Sequence, residues 1–293
     1  MKTIPLTVLV HDGPMARAYL AALRYHGFKP ERIIHLIYEN HPATGKPVGR
    51  LLPKAMREGY QRKSQEASFF HWPRQLKKTH GKLVAAVSDW TAEVTGFSKE
   101  VFEAVLGEER LENFAETTET LKITNLKDAR LQKAVEKIAP AVVLFTGGGI
   151  VPADLLNIPS LRVLHVHPGH LPEVRGSDGL LWSVLTRGRP GMSCFYMAPG
   201  IDTGDLIEAI DFPVMALNLP EQSLEDPQGF YRVLYSFCDP ILRASLFGRI
   251  ATNNETFVAI PSEGQDLNQG VTFHFMHEKL RARVYKKMLE REQ

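Results

Sequence analysis

Apolar residues in this chain fall into short unbroken runs bounded by turn residues, alternating with stretches of helical spacing. Residues 6–10 (Leu-Thr-Val-Leu-Val) read as an apolar strand, and His11-Asp12-Gly13-Pro14 as a turn with proline placed for the first turn of a helix. Residues 15–25 are rich in Ala, Leu and Arg, good helix formers, and Gly27 caps them. A second apolar run at 33–38 completes a βαβ opening, which predicts a parallel sheet. The same pattern returns later. A short strand at 121–124 precedes a helix over 128–138, with Leu131, Ala134, Val135 and Ile138 near helical spacing. A buried strand at 141–145 leads into Gly147-Gly148-Gly149, a short helix over 152–156, and a strand that begins at Leu161.

Between these halves, residues of about 40–120 break the pattern. Helices are expected at 53–65 and 98–106, with the aromatic cluster Phe69-Phe70-His71-Trp72-Pro73 between them, and the region reads as an insertion packed on the sheet. After an extended segment at 206–210, residues 213–220 are irregular, 228–250 are strongly helical with a kink at Pro240, and 270–293 read as a short strand and a basic helix. The expected architecture is α/β, a doubly wound and mostly parallel sheet, with a main domain over 1–210 and a mainly helical C-terminal extension over 211–293.

Composition narrows the function classes. The formal net charge of +2, from 35 basic and 33 acidic residues, is too balanced to point to nucleic acid or an anionic membrane. Two cysteines, Cys194 and Cys238, imply neither a disulfide framework nor a thiolate metal cluster. The N-terminus runs straight into a strand without a signal-peptide core, and no stretch is long and apolar enough to span a bilayer, so a cytoplasmic protein is expected.

The chemistry gathers at the end of the strand from Leu161. Side chains alternate along a strand, so His165 and His167 share one face while Leu164 and Val166 take the other. Pro168 and Gly169 end the strand and leave both imidazoles at its carboxyl end, where α/β proteins keep their chemistry. Thirty-five residues after His167 comes Asp202-Thr203-Gly204-Asp205, a carboxylate within plausible reach. The triple glycine at 147–149 lacks the spacing of a dinucleotide fingerprint and reads on its own as a tight turn.

The run Leu164-His165-Val166-His167-Pro168-Gly169-His170-Leu171-Pro172-Glu173-Val174-Arg175-Gly176, then Trp182, then Gly200-Ile201-Asp202-Thr203-Gly204-Asp205, resembles the folate-dependent formyltransferases. That family includes glycinamide ribonucleotide, methionyl-tRNA and sugar-amine formyltransferases, and its signature reads Asn-x-His-Pro-x-x-Leu-Pro, a following Arg-Gly, a Trp and a later Asp-x-Gly. The resemblance is specific over 141–210, loose over 1–40 and 120–140, and weak in the insertion. It implies a formyltransferase-like variant of the Rossmann sheet. It also implies transfer of a formyl group from (6R)-10-formyltetrahydrofolate to an amine through a tetrahedral intermediate, whose oxyanion needs donors aimed at it. His167 matches the family's catalytic histidine, which shuttles a proton, and Asp202 its aspartate, which holds that imidazole, raises its pKa or orders a relaying water. His165 stands where the family has an asparagine that donates to the formyl oxygen. An imidazole N–H can donate too, but neighbouring imidazoles disfavour double protonation, so one neutral donor and one switching partner are expected.

By the same resemblance, Gly148, Gly149, Ile150 and Val151 form one wall of the folate pocket, and the segment from Ala198 through Gly200 and Ile201 to Thr203 forms the other. The family binds its amine substrate after the first strand, which puts Asp12 and Gly13 beside the acceptor. No Gly-Ser-Gly cradle is present, and Asp12 would repel a phosphate. Arg175 is expected in a loop near the site and Asp178 against the acceptor amine, with a surface salt bridge the competing reading for Arg175 and helix packing favoured for Trp182. The expected partner is a small-molecule amine, with no nucleic acid, membrane or metal, and the C-terminal helices could build a homodimer face or cover the substrate.

Three other readings stay open at this level. Water could replace the amine, giving a 10-formyltetrahydrofolate hydrolase. His165, His167, His170 and a distant Asp could be zinc ligands of a metal-dependent hydrolase. The missing asparagine could mark a non-catalytic relative that senses folate or a nucleotide.

Overall fold

The computed structural model describes residues 1–41, 44–257 and 260–289. Parts of two expected elements, residues 42 and 43 of the insertion and 290–293 of the last helix, lie outside the described residues. The opening βαβ unit is β1 (Lys2–Val10), α1 (Pro14–Tyr25) and β2 (Phe28–Tyr38). Gly13 is the extended residue before α1 and Pro14 begins the helix, where a missing N–H costs nothing. β3 (Thr117–Ile123), α5 (Ala129–Glu136), β4 (Ala141–Phe145), α6 (Ala153–Leu156) and β5 (Leu161–His167) continue the winding. β6 (Val174–Gly176), α7 (Gly179–Arg187), β7 (Gly191–Tyr196) and β8 (Leu206–Asp211) follow.

The main sheet has the order β3-β2-β1-β4-β5-β7-β8. The first five strands are parallel; β7 and β8 add antiparallel at one edge. The strand order reverses between β1 and β4, which creates the crevice at the carboxyl ends where such sheets bind ligands. Both faces are covered, so central strands are apolar in both directions. On one face Val8, Val10, Leu164 and Val166 meet α1 and later helices; on the other Leu9, Val143, Phe145 and Val163 meet α5 and α6. The second face is covered by the shorter helices α5 and α6.

The insertion is more helical than its pattern predicts. α2 (Lys54–Thr79) runs through the aromatic cluster and contains Pro73, so the helix expected over 53–65 is longer than its pattern predicts: Phe70, Pro73 and Leu76 are buried positions of the same helix, held by packing in spite of the proline. α3 (Gly81–Thr95), which the reading above lacks, buries Leu83, Val84, Val87 and Trp90 on one face. α4 (Lys99–Glu103) and the tight turn Ala104–Leu106 occupy the helix expected at 98–106.

The expected boundary near 211 is also corrected. α8 (Pro227–Val233) passes through a π-helical stretch, Leu234–Cys238, into α9 (Asp239–Asn253), with Pro240 tolerated in the first turn of α9. Ile241, Leu242, Leu246 and Phe247 of α9 share one core with Ile4 and Val8 of β1. β9 (Val271–Phe273) pairs with β6, and α10 (Glu278–Leu289) buries Val284, Tyr285 and Met288 in the same core. Residues after 211 are therefore the under-layer of the sheet, not an appendage. Cys194 and Cys238 are buried free thiols. Among the described residues no helix is long and apolar enough to cross a membrane.

Candidate active site

β5 ends in the two histidines with Leu164 and Val166 turned by strand parity into the core under α1 and α9, and with positions 165 and 167 on the opposite face, 165 half-buried and 167 buried. His167 is buried, and its two ring nitrogens have different partners. Nε2 lies 2.9 Å from the Val174 carbonyl oxygen, which can only accept, so the neutral ring carries its hydrogen on Nε2. Nδ1 is thereby left with a lone pair, and it faces Asp202 Oδ2 at 3.4 Å. Two acceptors confront each other there until a proton arrives. Gly169 is required beside this ring, since a Cβ on it would stand 2.6 Å from His167 Nε2.

Asp202 reaches this position from a tight loop. Its own φ is 55°, in the left-handed region, and its Oδ2 accepts from the Gly176 amide at 2.8 Å. Gly204, two residues on, admits no side chain: a Cβ would sit 1.7 Å from the Tyr196 carbonyl oxygen. The Asp-x-Gly spacing is thus a loop geometry that turns a carboxylate toward the β5 imidazole.

His165 sits between the rings of Phe145 and Phe195, at centroid distances of 6.3 and 5.9 Å. Its Nδ1 makes a long contact of 3.4 Å to the Phe145 carbonyl oxygen. Burial, with the Arg243 cation adding to it, holds the His165 pKa down to about 4, although Asp202 pulls the other way. Burial also lowers His167; Asp202 opposes and Arg243 reinforces that shift. Asp202 does pull the His167 pKa up, one of the roles expected of it, yet the net shift is downward. Desolvation outweighs the carboxylate, and both rings are neutral at neutral pH.

The folate-wall residues are only partly gathered. Ile150, Val151 and Gly200 line one cavity of about 420 Å³, together with Leu126, Pro152 and Pro199. Gly148, Gly149 and Ile201 are exposed and do not line it, while Ala198 and Thr203 are half-buried in the same loop as Gly200.

Asp12 and Asp178, expected at the acceptor, are committed elsewhere. Asp12 is 5% exposed and holds both Arg17 Nε and Nη2, at 2.7 and 2.8 Å. Asp178, also 5% exposed, precedes α7 and accepts from Tyr231 Oη, the Met276 amide and Arg281 Nη2. Gly13 stays at the start of α1, with no side-chain cap on that helix. Arg175 is neither at the crevice nor in a surface ion pair: it is buried and donates to the carbonyls of Pro172, Leu267 and Gln269. Trp182 stacks on Phe273 at 4.3 Å and donates to the His274 carbonyl. His170 turns to Asp211 at 2.9 Å instead of joining the other histidines, and among the described residues no group of three or more His, Cys, Asp or Glu side chains comes together to hold a metal.

Two neighbours of the site went unread in the sequence. Arg243 of α9 donates to the Val166 carbonyl, between the histidines, at 2.8 Å, and is paired to Asp239 at 2.9 Å. The signal was present: an Asp-Arg pair four residues apart inside an otherwise apolar helix face. Gln265 donates to the carbonyls of Asp202 and Gly204, and nothing in its local sequence marks it.

A parallel sheet with antiparallel edge strands, and a His–Asp pair at the carboxyl end of β5, one strand beyond the switch point, make this an α/β protein with its candidate chemistry at the strand ends. The Formyl transferase family matches residues 76–227, more than half of the chain, and the protein belongs to that family. Among curated relatives, the methionyl-tRNA formyltransferase of Syntrophus aciditrophicus (strain SB) is 32% identical over 96 residues, 32% of this chain and 31% of the relative. That of Pelotomaculum thermopropionicum is 34% identical over 84 residues, 28% of this chain and 27% of the relative. The matched stretches thus span about a third of the relatives' length or less. A solved methionyl-tRNA formyltransferase from Clostridium thermocellum aligns with a TM-score of 0.36 at 22% identity, over 55% of this chain and 62% of that one.

Proposed function

We propose that this protein transfers a formyl group from 10-formyltetrahydrofolate to a primary amine, with His167 Nδ1 as the proton acceptor. The observation that carries this reading is the split between the two nitrogens of that ring. In the neutral state Nε2–H is satisfied by Val174 and the Nδ1 lone pair is free. An amine attacking a formyl carbon gains acidity as its nitrogen becomes positive, and Nδ1 is the base that takes its proton. The resulting imidazolium has Asp202 at Nδ1 and the Val174 carbonyl at Nε2, so burial no longer works against it unopposed. The same proton then passes to the departing nitrogen. His165 supplies the donor to the developing oxyanion. Its 3.4 Å contact at Nδ1 is weak enough to exchange for the tautomer that presents Nε2–H.

The folate donor supplies the activated one-carbon group when bound. The cavity beside Ile150, Val151 and Gly200, whose lining mixes Leu126, Val151 and Leu155 with Lys127, Asp128 and Asp154, is our candidate for the donor's heterocycle, with Gly148, Gly149, Ala198, Ile201 and Thr203 on the adjoining loops. Because Asp12 and Asp178 are engaged by arginines, we assign neither a direct contact with the amine. Gly13 and the uncapped start of α1 are the acceptor contacts that remain.

A small metabolite amine is our first assignment for the acceptor, in keeping with the balanced net charge of +2. A second, an aminoacyl-tRNA, is favoured by the relatives' names and by α2, where seven basic residues outnumber Glu58 and Glu66. The test is tetrahydrofolate formation from 10-formyltetrahydrofolate with amino sugars, amino acids, methionyl-tRNA or no amine. Product in one amine class supports transfer and names the acceptor. Equal rates without amine would assign hydrolysis instead, and donor binding without turnover would assign a sensing role.

A further inference from the structure

The stretch from Glu263 to Met276 crosses the site beyond the region matched by the family. Glu263 and Leu206 exchange two backbone hydrogen bonds of 2.8 Å, which locks the stretch to the start of β8. Gln265 Nε2 then donates to the Asp202 carbonyl at 3.1 Å and the Gly204 carbonyl at 2.5 Å. Further on, Arg175 gathers the carbonyls of Leu267 and Gln269, and β9 lies beside β6. β6 ends at Gly176, whose amide binds the Asp202 carboxylate. The stretch therefore grips the Asp202 loop from two sides. One grip is on its backbone through Gln265, and the other is on its side chain through β6. Gln265 Oε1 is buried without a hydrogen-bond partner, so the amide is placed for its donors at the expense of its acceptor.

We propose that this stretch is a positioning strap and that Gln265 is a positioning residue: it keeps Asp202 in its left-handed conformation so that the carboxylate faces His167 Nδ1. The inference rests on the reading of His167 and Asp202 given above. Without the two donors, residue 202 relaxes toward ordinary backbone angles and its carboxylate leaves the imidazole. The charged groups around His167 are then Arg243 and Asp239 from α9, with His165 beside it on β5. The group that most strongly raises the His167 pKa is lost, so that pKa moves further down.

The test uses full-length Gln265→Met, which keeps the length of the side chain but cannot donate, and Gln265→Lys, which can donate to both carbonyls. The first readout is the imidazole ¹⁵N titration of His167, which needs no turnover. The second is transfer kinetics against pH, with thermal melting as the folding control. The methionine variant is expected to titrate at lower pH than wild type, and to lose roughly tenfold to a hundredfold in kcat with donor KM changed by less than about threefold. The lysine variant is expected to recover most of both. An unchanged titration in a folded methionine variant overturns the proposal, as does activity lost only in step with folded protein. A wild-type protein that turns over no formyl donor overturns the parent reading alone, because the titration still reports whether Gln265 holds the carboxylate in place.

Discussion

His167 meets a carbonyl with one nitrogen and a carboxylate with the other, and that asymmetry gives the ring a direction for proton transfer. His165 has only one weak polar contact and two aromatic neighbours. The account therefore predicts that His165→Asn, which offers an amide donor without an ionisable ring, keeps turnover within about tenfold of wild type. A fall of about a thousandfold or more in steady-state transfer would mean that the imidazole itself moves a proton. Both histidines and the aspartate were legible in sequence, because strand parity and the Asp-x-Gly spacing are local. The net direction of their pKa shifts was not. It depends on how much water α9 and the loops exclude, and on an arginine 76 positions after His167. The commitments of Asp12 and Asp178 to arginines were equally hidden, since Arg281 lies more than a hundred residues after Asp178.

At the scale of elements, the carboxyl end of β5 works because three other pieces fix it: the β6 segment that supplies Val174 and Gly176, the 202–204 loop, and α9 beneath. The strands and the short helices of the second face follow from apolar runs, and β4 occupies the expected residues, Ala141–Phe145. α2 follows from the sequence only over the helix expected at 53–65; its continuation to Thr79 does not, because its buried positions are few and it is stabilised by what it packs on, with Pro73 inside it. The region after 211 read as separate because its helices are amphipathic by themselves; only the folded molecule shows that their apolar faces meet α1 and β1. A fragment ending at residue 210 is accordingly expected to lack cooperative unfolding. Removing α9 strips the cover from Val8, Leu164 and Val166, each worth about 1.5–3 kcal/mol when buried. A sharp thermal transition in that fragment, close to the full chain's, would restore the reading of an independent N-terminal domain.

For the whole molecule, two partly buried and desolvated histidines make stability depend on pH. His11 and His165 titrate near 4 in the folded protein, both held down chiefly by burial, against 6.5 when unfolded. Their contribution is complete above about pH 6.5 and is lost as pH falls toward the folded values, because the unfolded chain takes up protons that the native one refuses. Each can cost up to about 1.4 kcal/mol per pH unit across that window. Melting temperature should therefore hold steady between pH 7 and 8 and fall steadily below about 6.5, a trend that differential scanning calorimetry would show and that a flat profile down to pH 4.5 would refute.

The most direct test of the central claim is single-turnover formyl transfer at saturating donor, comparing wild type with Asp202→Asn. An asparagine keeps the size of the side chain and can still accept from Gly176, but it cannot stabilise the imidazolium through charge. The account predicts a rate lower by about 10²–10⁴-fold with donor affinity nearly unchanged. Transfer at the wild-type rate in a folded Asp202→Asn protein would contradict it.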